Sequence, residues 1–141
     1  MKTLSLSSAL VLLGIGIFLG PSSLRAQSVS ISASPVVITD AGDQSAITFT
    51  VSPPSPVSLS VRFFLTGTAA YGSDYVLTGE FTRFGEFIIP AGQSTATMTL
   101  WSFYDDDRPG TFETVFVTVL KGNRYRVGSP FRTQVTIENI D

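Results

Sequence analysis

Residues 57–65 read Val57-Ser58-Leu59-Ser60-Val61-Arg62-Phe63-Phe64-Leu65. Val57, Leu59, Val61, Phe63 and Leu65 fall on one face of an extended chain, and Ser58, Ser60 and Arg62 fall on the other. This is the period-2 alternation of a strand with one side buried. A helix would gather apolar residues spaced three and four apart, and no such spacing occurs from residue 27 onward. The same reading extends to 29–34 and 36–38, one strand broken where Pro35 marks a kink or an edge. It extends also to 46–51, 86–89, 95–103, 114–120 and 133–140. Pro53-Pro54, Ala91-Gly92, Pro109-Gly110, Gly122-Asn123 and Ser129-Pro130 punctuate the intervals as turns. Seven short strands in about 110 residues predict an all-β fold, a seven-stranded immunoglobulin-like antiparallel β-sandwich.

The first 26 residues are expected to stand outside that fold as a signal peptide. Lys2 supplies a positive start, Leu10 to Leu19 is an apolar run too short for a membrane span, and Pro21 breaks it. Ala26 offers a small residue for cleavage, although Leu24 stands two positions earlier where a second small residue is usual. Residues 27–141 are then one domain, with no internal repeat or low-complexity linker. The expected location is secreted, or periplasmic and cell-surface.

Composition narrows the chemistry. The chain has no histidine and no cysteine, so it holds no Ser-His-Asp triad, no thiol nucleophile, no His or Cys zinc site and no disulfide. Removing residues 1–26 takes Lys2 and Arg25 with it and leaves 115 residues with a formal charge of −4. A mildly acidic domain argues against nucleic acid as a partner, because phosphate backbones call for a basic face. Carboxylates, hydroxyls and carbonyls remain, and these suit hard cations.

Antiparallel succession sorts the loops into two poles. One receives the loops after residues 38, 65 and 103 and the chain end, and with them Asp40 and Asp43, Asp74 and Glu80, Asp105, Asp106, Asp107 and Glu113, and Asp141. The other has no acid in its first two loops and carries Lys121, Arg124 and Arg126 in its third. Like charges within about 4–6 Å raise one another's pKa unless something positive intervenes. Arg83 and Arg108 are the only cations expected near the acids. Calcium, which takes about 6–8 oxygens in irregular geometry, fits loops better than the tighter octahedron of magnesium. Aspartate is also common in turns because it caps backbone amides, so Asp43 and Glu80 read singly as ordinary surface; three consecutive acids do not. The run from Asp105 to Gly110 is not an EF-hand loop, since Pro109 stands at position 5 and Phe116 at position 12 where a glutamate is needed.

Four segments together resemble the Calx-beta domain, known from sodium/calcium exchangers, integrin β4 and bacterial surface proteins. They are Thr66-Gly67-Thr68-Ala69-Ala70-Tyr71-Gly72-Ser73-Asp74-Tyr75, Ile89-Pro90-Ala91-Gly92-Gln93-Ser94, Asp105-Asp106-Asp107 with Glu113-Thr114-Val115, and Gly128-Ser129-Pro130 through Val135-Thr136-Ile137. The resemblance spans nearly all of 27–141, and its first segment is the most specific. It implies calcium held by Asp40, Asp74, Asp105, Asp106, Glu113 and Asp141, with Asp107 as an outer member. Asp40 stands where the family usually has Glu. The family's closing acidic run is here Glu138-Asn139-Ile140-Asp141, and a further acidic position is Gly110. Fewer charged ligands imply weaker binding and one occupied site rather than several.

Two functions follow as expectations. The first is a non-enzymatic calcium-binding module in extracellular or cell-surface interaction and cell communication, with peripheral association at the cell surface; family members often occur in tandem arrays. The second is an adhesion or spacer module with a degenerate site, acting through contacts with another surface protein or a glycan. A hydrolase built on Asp74 and Asp106 is disfavoured, because a sandwich of this size is expected to lack a deep cleft. Trp101 and Phe103 share a face with Thr97 and Thr99, and packing or a sheet edge is expected for them ahead of a sugar platform. Phe81, Phe84 and Phe87 are likewise expected to pack.

Overall fold

A computed structural model describes residues 26–140; residues 1–25 of the predicted signal peptide, and Asp141, lie outside the described residues. The strands are β1 (Gln27–Ser34), β2 (Val37–Thr39), β3 (Gln44–Ser52), β4 (Leu59–Thr66), β5 (Tyr75–Thr78), β6 (Phe81–Arg83), β7 (Glu86–Ile89), β8 (Thr95–Ser102), β9 (Phe112–Val119), β10 (Tyr125–Val127) and β11 (Arg132–Glu138). Alternation holds where it was most regular: in β4, Leu59, Val61 and Phe63 are buried while Ser60, Arg62 and Phe64 are exposed. Val57 precedes the strand and is exposed.

The described chain has eleven strands where seven are predicted. The broken first strand resolves into β1 and β2, and β5, β6 and β10 are additional. Each of these three spans only three or four residues, which leaves a period of two little room to register, although the equally short β7 was expected at 86–89.

Two sheets form a sandwich, one ordered β10-β1-β3-β8-β5 and the other β2-β11-β9-β4-β7-β6. Pairing is antiparallel except at two edges, where β10 runs parallel to β1 and β2 runs parallel to β11. These two edges depart from the antiparallel succession that holds through the rest of the sandwich. At Pro35, between β1 and β2, the chain leaves one sheet and joins the other, which sets β2 beside β11.

Phe49, from one sheet, stacks on Phe87, from the other, with ring centroids 5.0 Å apart, and Phe63 and Phe81 close round them. Fully burying such a side chain stabilises by roughly 1.5–3 kcal/mol. Phe84 meets this cluster only at its rim, edge-on to Phe63 with ring centroids 6.3 Å apart. It is exposed at the β6–β7 turn, where its ring meets Tyr71. Trp101 also departs from the packing expectation: β8 lies between β3 and β5, and Trp101 stands on its outward side, 38% exposed. Tyr125 fastens the opposite pole, its hydroxyl donating to the Leu120 carbonyl at 2.6 Å and accepting from the Arg62 amide at 2.9 Å.

Registers fix the poles. Gln44 lies opposite Trp101, Glu138 opposite Phe112 and Thr66 opposite Phe116, so the start of β3 and the ends of β8, β11 and β4 gather where β9 begins. Glu80 is not among them. β5 carries the chain away from this pole, from Tyr75 opposite Ser102 to Thr78 opposite Thr99, and Glu80 follows it.

Candidate metal site

The site begins with a close approach. Gly67 has φ +127°, and a β-carbon built on it would stand 2.0 Å from the carbonyl oxygen of Thr114. Only glycine lets the segment after β4 lie this close to β9. The contact is then laced by hydrogen bonds: Thr114 N–H donates to Thr68 Oγ1 at 2.9 Å, and Ala69 N–H to the Thr114 carbonyl at 3.1 Å. From this anchor the chain turns at Ala70 to Asp74. Asp74 N–H donates to the Ala70 carbonyl at 3.0 Å, and Asp74 Oδ2 accepts from Ala70 N–H at 2.5 Å. The Asp74 carbonyl accepts from Phe103 N–H at 2.8 Å, which ties the turn to the end of β8.

The segments that carry Asp74, Asp105 and Glu113 therefore meet. One carboxylate oxygen from each lies within 4.8 Å of the other two. Asp74 is buried, and Asp105 and Glu113 are half-buried. Asp105 is held in an Asx-type turn by the Asp107 amide, which donates to its Oδ1 at 2.9 Å. Glu113 Oε2 is out of solvent and has no hydrogen-bond partner among the described residues. Burial first, and then the charges of Asp74, Asp107 and Asp105, push the Glu113 carboxyl up to about 7. Arg83 does not relieve this crowding: it is bonded to Glu86 at 2.6 Å. Arg108 is exposed in the β8–β9 loop.

The other predicted ligands are placed differently. Asp40 is fully buried at the same pole, outside the three-carboxylate group; its amide donates to the Glu138 carbonyl at 3.0 Å and its Oδ1 accepts from Ile140 N–H at 3.3 Å. Asp106 and Asp107 are exposed in the β8–β9 loop, Asp107 close enough for its charge to act on Glu113. Asp141 lies outside the described residues. Asp43 caps the β2–β3 turn, accepting from Thr39 N–H at 3.0 Å and from the Thr39 hydroxyl at 2.7 Å, and these bonds hold its carboxyl below the usual range.

Asn139 is a residue that sequence reading counted only as a lost carboxylate. It is 1% exposed, its Nδ2 donates to Thr111 Oγ1 at 2.8 Å, and its Oδ1 is buried with no hydrogen-bond partner among the described residues. Its carbonyl accepts from Gly110 N–H at 2.7 Å, and its own amide donates to the Thr111 carbonyl at 3.0 Å. Gly110 and Asn139, two positions where the resemblance expects acids, are thus bonded to each other. The fit to a hard cation rests on these observations together. Three carboxylates converge, and two buried oxygens, Glu113 Oε2 and Asn139 Oδ1, lack partners at the same pole, whereas buried oxygens are ordinarily bonded.

No protein-family profile matches the chain, and no curated protein sequence matches it. Solved structures do. The apo-form Calx CBD1 domain superposes with a TM-score of 0.59 at 18% identity, covering 80% of this chain and 98% of that one. The fold is that of Calx-beta domains. The CBD12 structure from CALX1.2 gives a TM-score of 0.58 at 18% identity; 78% of this chain matches 44% of that longer one.

Proposed function

We propose that this Calx-beta-like domain is a secreted, non-enzymatic module that binds one calcium ion at its acidic pole. The convergence of Asp74, Asp105 and Glu113 within 4.8 Å carries the reading. These three carboxylates would hold the ion, and Asp40, Asp106, Asp107 and Asp141 are candidates for outer roles. A bound cation supplies the positive charge that the crowded carboxylates lack, and it would displace the proton that Glu113 otherwise holds up to about pH 7. The Gly110–Asn139–Thr111 hydrogen bonds occupy positions where the family resemblance places further acids, which favours one ion over several. In this reading the ion joins the Asp74 turn to the β8–β9 connection, stiffening the pole for contacts at a cell surface.

The test is the thermal midpoint of the purified protein in millimolar calcium, in millimolar magnesium and in chelator. Calcium at about 100 times its dissociation constant stabilises by about 2.7 kcal/mol, a rise on the order of 10 °C for a domain of this size. An equal midpoint in all three solutions would overturn the reading and leave the domain as a metal-free interaction module.

A further inference from the structure

The outward face of the five-stranded sheet is nearly free of charge. Within its five strands Arg126, on edge strand β10, is the only charged residue, whereas the six-stranded sheet carries Arg62, Arg83, Glu86, Glu113, Arg132 and Glu138. Hydroxyls take the place of charge. Ser32, Thr48 and Thr97 stand in one cross-strand row and Ser30, Thr50 and Thr95 in the next. Their inward neighbours Ile31, Ile47, Phe49 and Met98 are buried, so these side chains point to solvent. Rows follow one another about 6.8 Å apart along the strands, and neighbouring members lie about 4.8 Å apart across them. The Thr48 and Thr97 hydroxyls bond at 3.1 Å.

An aromatic ring closes this array at the acidic end. Trp101 lies opposite Val76, yet its Nε1 donates to Oγ1 of Thr78, a diagonal neighbour on β5, at 3.2 Å. To reach it the indole must lie down across the sheet, leaving part of its surface to solvent. Packing does not need a 38% exposed tryptophan on an interior strand.

We propose that this face binds a neutral polysaccharide, with a sugar ring on Trp101 and sugar hydroxyls bonded to the threonine rows. Apolar sugar faces stack on aromatic rings, and a tryptophan held in place by its own hydrogen bond loses little entropy on binding. The strands supply donors and acceptors along the roughly 26 Å of β8. Charge selects the class of polymer. The domain's net charge of −4 repels polyanions, the face offers only Arg126 at its edge, and a neutral chain brings no charge to desolvate. The inference stands on a face separate from the acidic cluster and does not depend on calcium.

Trp101 is the only tryptophan in the chain, so its fluorescence reports on this face alone. The experiment is affinity electrophoresis of the purified protein through native gels containing xyloglucan, mixed-linkage β-glucan, galactomannan or dextran, with alginate as the anionic control, and fluorescence titration with each. At least one neutral polymer should retard the protein and shift its emission, equally in calcium and in chelator. Trp101→Ala should weaken retardation by about tenfold or more. Thr97→Lys, an exposed change that leaves the indole and the core intact, should do the same while preserving the thermal midpoint. Absence of retardation by all four neutral polymers, retention by alginate alone, or undiminished binding by Thr97→Lys would each overturn the proposal.

Discussion

Gly67 and Thr114 approach so closely that the glycine's missing side chain is what lets the loop after β4 rest on β9. Through that contact Asp74 comes to stand beside Glu113. Gly67→Ala would set a β-carbon against a backbone oxygen at a positive φ, a strain that neighbouring side chains cannot relieve by moving. The expected cost is on the order of 3 kcal/mol, a fall in midpoint on the order of 10 °C, together with loss of any calcium-dependent rise. Thermal scans with and without calcium check both parts.

Asp105→Asn separates charge from structure. Asp105 is half-buried and its charge is one of those that hold the Glu113 carboxyl up. In chelator the variant should be as stable as the parent or more so, because a repulsion has gone. In calcium it should lose most of the rise in midpoint. A variant that keeps the full rise would remove Asp105 from the ligand set.

The pH dependence has a definite sign. Glu113 titrates near 7 in the folded protein against an ordinary value of 4.5. The native state therefore holds this proton more tightly than the unfolded state does. The destabilising effect is absent below about pH 4.5, grows through the interval and is complete above about 7. Asp43 and Glu86 are shifted downward, by Thr39 and by Arg83, so their stabilisation is lost only at lower pH. In chelator the midpoint should be higher at pH 5.5 than at pH 7.5, and Glu113→Gln should flatten that difference. Calcium affinity, measured by titration calorimetry, should weaken below about pH 7 as the ion competes with the proton.

Tyr125→Phe tests the opposite pole. It removes the hydroxyl that serves both the Leu120 carbonyl and the Arg62 amide while keeping the ring over Gly122. Leaving partly buried backbone groups unpaired costs about 1–3 kcal/mol. Denaturant unfolding should show that loss with an unchanged slope, and the calcium response should be untouched.

The long strands were legible because alternation needs length to register, and β3, β4, β8, β9 and β11 have seven to nine residues each. β5, β6 and β10 were not, and the omission of β5 had a consequence: it placed Glu80 with Asp74 although a strand carries it away. The grouping of Asp74, Asp105 and Glu113 was foreshadowed by their loops, since antiparallel succession brings alternate connections together. Their relative depth was not, because it depends on Gly67 and on the turn from Ala70 to Asp74. Asn139 was legible only as an absence of charge. Its buried amide oxygen and its bond to Thr111 arise from the path of the chain beyond β11, which spacing does not encode. Trp101 shows the limit of a one-strand pattern. Alternation correctly grouped it with Thr97 and Thr99, but which face of β8 met the core was decided by Met98 and Leu100.

The change of sheet at Pro35 has a mechanical consequence. Gln27 lies beside Tyr125 at one pole, and Glu138 lies opposite Phe112 at the other. Tension applied between residues 27 and 138 would run along the strands, so the β1–β3 ladder and the parallel β2–β11 pair would be loaded in shear, with several hydrogen bonds sharing the force instead of opening one at a time. Such a pull would pass from pole to pole, with the acidic cluster at the end where β11 finishes.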